Sequence, residues 1–172
     1  MFYGAVSLDG YLARRNHDLD WLYASDHGGE LTYDEFFETI GTILMGRKTY
    51  DMIMKEIQKD GSPFPYHGRP CYVFSRSRTG ATPDVRFVGD DVVRFTQRLK
   101  DQGGGSIWIV GGGEVLSPLL HADLVDEFII QVAPFIIGDG IPLFTPGDFD
   151  IRLQLTDVRR YKQMAELRYA RP

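Results

Sequence analysis

Apolar and polar positions follow two periods along the chain, and the changes of period mark out its elements. The apolar run at residues 2–8 predicts a strand close to the first residue. Residues 33–40 predict a short helix, with Thr32 as candidate N-cap and Glu35 at capping-box spacing. Residues 42–45 predict a short buried strand that stops at Gly46. Residues 48–57 have helical spacing, which puts Tyr50, Ile53, Met54 and Ile57 on one face. Strands are expected at 71–75 and 85–88. An amphipathic helix is expected at 92–100, and the preceding Asp90 and Asp91 suit a helix N-terminus. A strand at 106–110 and a helix at 114–121 follow, with Pro118 expected near that helix's first turn. Beyond Leu124 come an apolar strand at 125–132, a Pro/Gly loop at 134–147, and two polar-alternating strands at 152–159 and 164–169. The β-α-β-α alternation implies an α/β fold: a mixed, mostly parallel sheet with helices on both faces. The last strands read as an antiparallel addition at one edge.

Composition narrows the function classes. A length of 172 residues, with no repeat, low-complexity tract or Pro/Ser-rich linker, predicts a single domain over 1–172. Apolar residues make up 43% of the chain, enough for a real core. The net charge of −5 argues against nucleic acid as a partner. No apolar run reaches the roughly 18 residues of a membrane span. The opening MFYGAVSLDGYLA has neither a basic leader nor a cleavage site, so no secretory signal is expected. The single cysteine, Cys71, excludes an internal disulfide framework, and a cytoplasmic protein is the natural expectation. Four histidines show no metal-ligand spacing, so no metal is expected, and His67 and His121 are expected at the surface.

Three strand ends carry anion-binding chemistry. In IWIVGGGEV, a buried strand runs into Gly111, Gly112 and Gly113 and then a helix. Glycines let a ligand approach the main chain, and the helix N-terminus offers free N–H groups to an anion. The G-x-G-x-x-G spacing of the Rossmann fingerprint is absent. In TILMGRKTYD, a strand meets Gly46 and a helix start carrying Arg47, Lys48 and Thr49. Cations there oppose the helix dipole, which an anion at the same place would explain. In YVFSRSRTG, a strand ends in Ser75, Arg76, Ser77 and Arg78, hydroxyls beside guanidinium groups. Each stretch alone also reads as an ordinary turn. Together they suit a dinucleotide bound outside the carboxyl ends of the strands, and the surplus of cations favours NADP over NAD.

With these motifs on the page, the chain resembles the dihydrofolate reductase-like superfamily, and within it the reductase domain of riboflavin biosynthesis. MGRKTYD, VFSRS and WIVGGGEVL are similar to that fold's cofactor motifs. SLDGYLA and LVDEFIIQVAPFIIGDGIPLF are closer to the riboflavin type. The resemblance implies NADPH as cofactor. It gives Gly46, Arg47, Lys48 and Thr49 to phosphates, and Ser75, Arg76 and Ser77 to the adenosine 2′-phosphate. It lines the pyrophosphate and nicotinamide with Val110, Gly111, Gly112, Gly113, Glu114 and Val115, and puts Ala5 and Leu12 on the nicotinamide side. It also implies a cis peptide at Gly111–Gly112 and a homodimer, with 128–132 and 135–137 as candidate interface.

On the substrate side the expectations are looser. Asp26, a few residues after Trp21, and Asp9, at the end of the first strand, are the candidate proton-donating carboxylates; Asp9-Gly10 is equally a turn signal. Tyr33, Phe36, Phe37 and Tyr50 are candidate walls for a flat substrate, one or two of them in contact. The expected activity is NADPH-dependent reduction of a small heterocycle, a pyrimidine or pterin. By resemblance it is of the 5-amino-6-(5-phosphoribosylamino)uracil reductase type. The alternatives are an NADP-binding protein without productive turnover, or a true dihydrofolate reductase.

Overall fold

The computed structural model describes residues 1–25 and 33–172, with the backbone alone at 31–32. In chain order the elements are β1 (Phe2–Ser7), β2 (Tyr11–Ala13), α1 (Asp20–Tyr23), α2 (Leu31–Glu38), β3 (Ile40–Gly46), α3 (Arg47–Asp60), β4 (Cys71–Phe74), β5 (Arg86–Val88), α4 (Val92–Gln102), β6 (Ser106–Gly111), α5 (Gly113–His121), β7 (Glu127–Ala133), β8 (Ile141–Pro142), β9 (Gln154–Tyr161) and β10 (Met164–Ala170). The fold is mixed α/β, and its strand pairs are mostly parallel. The chain divides into two compact units, Met1–Leu31 with Val125–Pro172, and Thr32–Leu124.

The Thr32–Leu124 unit holds four parallel strands in the order β5-β4-β3-β6. Parallel strands covered on both faces need near-continuous apolar runs. In β3, Ile43, Leu44 and Met45 are accordingly fully buried. The strands β3 and β6 start close together because Gly41 faces Gly105: a Cβ on either would lie 2.8 Å from the other's backbone. Gly105 is therefore a close-packing position. Beneath these strands, Trp108 of β6 meets Phe36 edge-on at 5.0 Å and Tyr66 at 5.2 Å, which makes an aromatic core.

The helices end as their sequences require. Gly61 closes α3 in the left-handed region and donates its N–H to the Ile57 carbonyl. The Asp91 side chain caps α4 by accepting from the Arg94 N–H at 2.9 Å. Two expectations are corrected. Thr32 lies inside α2 rather than at its N-cap. Pro118 lies inside α5 rather than near its first turn, so the carbonyl four residues back, at Glu114, receives no helical N–H from it. Burial of Val115, Leu116, Leu119 and Leu120 holds that helix in spite of the missing bond.

In the other unit, β1 pairs with β7 in parallel, while β7, β10 and β9 run antiparallel, as the closing strands predicted. Three small elements had no counterpart in the sequence pattern: α1, and the two-stranded sheet of β2 with β8, which lies partly inside the expected Pro/Gly loop. Each is too short to carry a period. Trp21, Ala133 and Met164 form a buried cluster in this unit, with Ala5, Leu22, Phe135 and Ile137 packed against it.

Candidate functional site

Within the Thr32–Leu124 unit, strand register brings the three glycine and hydroxyl motifs to one edge. Gly46 lies beside Phe74, and Met45 beside Gly111. The chain therefore leaves β3, β4 and β6 at nearly one level, through Gly46, Ser75 and Gly112. Two helices start there. Gly46 is the N-cap of α3 and Gly112 the N-cap of α5, and among the described residues neither helix has a side-chain cap. Their leading N–H groups are thus left for an anion. Lys48 and Glu114, in the first turns of the two helices, pair at 3.1 Å.

The glycines keep this edge open. The nearest atom to a Cβ placed on Gly112 is the Thr49 hydroxyl oxygen at 3.7 Å, and one on Gly113 would meet nothing within 4 Å. Gly111 has φ 138°, a conformation that favours glycine, and the Gly111–Gly112 peptide is cis, as the resemblance implied. A cradle lined by main chain and one hydroxyl, with helix N-termini pointing in, fits the phosphates of a dinucleotide. Gly46, Thr49, Gly111, Gly112 and Gly113 would hold them.

The loop after β4 is built around a buried serine. The Ser75 hydroxyl accepts the N–H of Arg78 at 2.9 Å and that of Ser77 at 3.3 Å. Ser75 is thus first a loop organiser, and Arg76, Ser77 and Arg78 are exposed around it. Arg47 and Arg78 both reach Asp51, at 2.6 and 3.1 Å. Arg76 makes no ion pair among the described residues. Neither Asp51 nor the fixed state of Arg78 was singled out from the sequence. The i,i+4 spacing of Arg47 and Asp51 was a signal available there, but the Arg78 contact joins distant segments and left none.

The remaining predicted residues fall elsewhere. Val110 and Val115 are half-buried and buried beside the glycine turn. Ala5 on β1 and Leu12 on β2 belong to the other unit, where Ala5 packs against the Trp21 cluster. The four candidate substrate rings do not form one wall: Phe36 is buried edge-on against Trp108. Tyr33 stacks on Phe37 at 5.7 Å and Arg69 lies over Phe37, whereas Tyr50 is buried edge-on against Phe87 at 5.4 Å. Tyr50 thus serves packing. His67 and His121 are exposed, as expected. Among the described residues no cluster of three metal-ligating side chains occurs. Burial pushes the Cys71 thiol up to about 12, which makes it a poor nucleophile.

Asp26 lies outside the described residues. Asp9 is described, and its surroundings are those of a loop clamp. Its Oδ1 accepts the Ser7 hydroxyl at 2.6 Å and the Ile137 N–H at 3.3 Å; its Oδ2 accepts the Gly138 N–H at 2.7 Å. The Ser7 hydrogen bond first, helped by the two amides, holds the carboxyl below its ordinary 3.8. A general acid at neutral pH needs the opposite shift. The turn reading of Asp9-Gly10 accounts for this geometry, since Gly10 closes back on the Ser7 carbonyl at 2.9 Å.

Comparison with known proteins agrees with the motifs. The RibD C-terminal domain family matches residues 1–166. The chain belongs to the RibD C-terminal domain family. Among its relatives are two Bacillus subtilis (strain 168) proteins. "Uncharacterized protein YwjB" is 37% identical, covering 99% of this chain and 97% of its own. "Uncharacterized protein YyaP" is 30% identical, covering 91% and 86%. A solved Shewanella sp. PV-4 structure, named "Putative riboflavin biosynthesis protein", superposes with a TM-score of 0.86 at 26% identity, covering 99% and 97%. The Thermotoga maritima diaminohydroxyphosphoribosylaminopyrimidine deaminase/5-amino-6-(5-phosphoribosylamino)uracil reductase shares the fold alone. Its TM-score is 0.69 at 18% identity, and this chain spans 56% of its length.

Proposed function

We propose that the protein is an NADPH-dependent reductase of a small heterocycle, a pyrimidine or pterin, of the riboflavin-pathway reductase type. One observation carries the reading: two helix N-termini, at Gly46 and Gly112, that have no side-chain cap among the described residues open side by side at the carboxyl edge of a parallel sheet, next to exposed arginines. Membership of the RibD C-terminal domain family supports it. When bound, NADPH supplies the hydride for a C=N or C=O carbon. The chain's own part is to bind and orient. Gly46, Thr49 and Gly111 to Gly113 accommodate phosphate main-chain to oxygen, while Arg47, Lys48 and Arg76 with Ser77 neutralise charge.

A binding protein without turnover is the second reading, and the state of Asp9 favours it, because an ionised, fully engaged carboxylate supplies no proton. The family match favours both readings over a dihydrofolate reductase. Fluorescence titration with NADPH, followed by steady-state oxidation against pyrimidines, pterins and dicarbonyls, separates them. Binding with turnover supports the reductase; binding without turnover on any panel member supports the second reading. Absence of NADPH binding removes both.

A homodimer is the third element of this proposal. In the unit that contains β7, Val158, Leu167 and Ile130 form one cross-strand row, and Leu155 faces Tyr169 beside it. Leu155 and Val158 remain 51% and 56% exposed. Phe128 and Ile129, by contrast, are buried within the chain. The proposed contact therefore centres on β9 and β10 rather than on residues 128–132 as a whole.

A further inference from the structure

Resting on the reading of this edge as a cofactor site, we propose that Asp51 is the positioning residue of a phosphomonoester clamp formed by Arg47, Arg76 and Arg78. Asp51 uses one oxygen for each of two guanidinium groups: Oδ2 takes Arg47 Nη1 at 2.6 Å, and Oδ1 takes Arg78 Nη1 at 3.1 Å. Each arginine gives up one N–H of its five and keeps the others for an oxyanion. Arg78 is fixed at both ends. Its backbone N–H is held by the Ser75 hydroxyl, and its guanidinium lies 5.8 Å from the Phe87 ring centre, which the buried Tyr50 supports from the side. Arg76, two residues away, has no ion pair among the described residues.

An ion pair this exposed adds little to folding, and a carboxylate beside an anion site opposes the anion. Orientation of two guanidinium forks is a role that accounts for both facts. Charge then points to the ligand class. Three guanidinium groups less one carboxylate leave two positive charges, the match for a phosphomonoester carrying about −1.5 to −2 at neutral pH. The 2′-phosphate that separates NADPH from NADH is such a group. On this account Arg78, held by Asp51, sets cofactor preference together with Arg76.

The test is calorimetric binding of 2′,5′-ADP and of 5′-AMP to the full chain, as wild type, D51N, R78A, the double variant and D51E. Wild type is expected to prefer 2′,5′-ADP. D51N and R78A should each weaken 2′,5′-ADP about tenfold, the scale of a charge-assisted hydrogen bond, and leave 5′-AMP within about threefold. The double variant should lose little more than the worse single one, because Asp51 acts through Arg78. D51E should regain part of the loss. Unchanged or tighter 2′,5′-ADP binding by D51N, equal losses for both ligands, or additive losses overturn the proposal and leave the cofactor reading standing. R78A, in an exposed loop, carries the same test if D51N unfolds at the assay temperature. A wild type that does not prefer 2′,5′-ADP removes the cofactor reading and this proposal together.

Discussion

Arg76 stands at the β4 end exposed and without a neutralising carboxylate among the described residues, and it binds no other part of its own unit through charge. Replacing it with Ala should therefore change ligand binding and not stability. NADPH is expected to weaken about tenfold or more and NADH by less than about threefold, measured by fluorescence titration; equal losses for the two would sink its 2′-phosphate role. Asp9 gives a prediction of another kind. Its folded-state pKa lies below the unfolded value, so its stabilising contribution is present above about 4 and disappears as pH falls through the folded value. The Asp9→Asn variant should show a shallower loss of melting temperature below about pH 4 than wild type. Faster amide exchange at Gly138 should accompany it, because that N–H loses its carboxylate partner. Arg76 and the glycine turn were legible in the sequence, because their chemistry is local to the chain. Asp51, Arg78 and the engaged state of Asp9 were not, since each depends on contacts between segments far apart.

Elements were legible in proportion to their length. α3 and α4 each show a clear apolar face, and their expected positions agree with the structure to within a turn. The cap of α4 is a direct case: Asp91 accepts from Arg94, and Asp91→Ala should cost about 1 kcal/mol in denaturant unfolding. A change below a few tenths would mean that water satisfies that helix end equally well. β2, β8 and α1 were missed because two to four residues hold no period. Trp108, by contrast, lies in an apolar strand but earns its place by tertiary packing against Phe36 and Tyr66. Trp108→Ala should lose about 3–5 kcal/mol, read from chemical denaturation midpoints at unchanged slope. The four rings offered as candidate walls for a substrate illustrate the opposite case. Helical spacing put them on helix faces correctly, but spacing alone does not say whether a ring packs inward, as Tyr50 does.

For the whole molecule, the fold class followed from the order of element types, and the antiparallel close from the change of pattern after Leu124. Self-association is the property of this scale to test. Light scattering after size exclusion should give twice the chain mass, and Val158→Glu should shift it to the monomer, since it puts a charge in the apolar row with Leu167 and Ile130. A monomeric wild type would remove the dimer. The pairing of Phe2 with Phe128 has a consequence for the chain as it is made. During synthesis β1 leaves the ribosome before its parallel partner β7, which follows only after the whole Thr32–Leu124 unit with its four parallel strands. A nascent chain stalled just before Glu127 can therefore assemble the Thr32–Leu124 unit while β1 still lacks the partner on its β7 side, and closing that long loop is a late, entropically costly event.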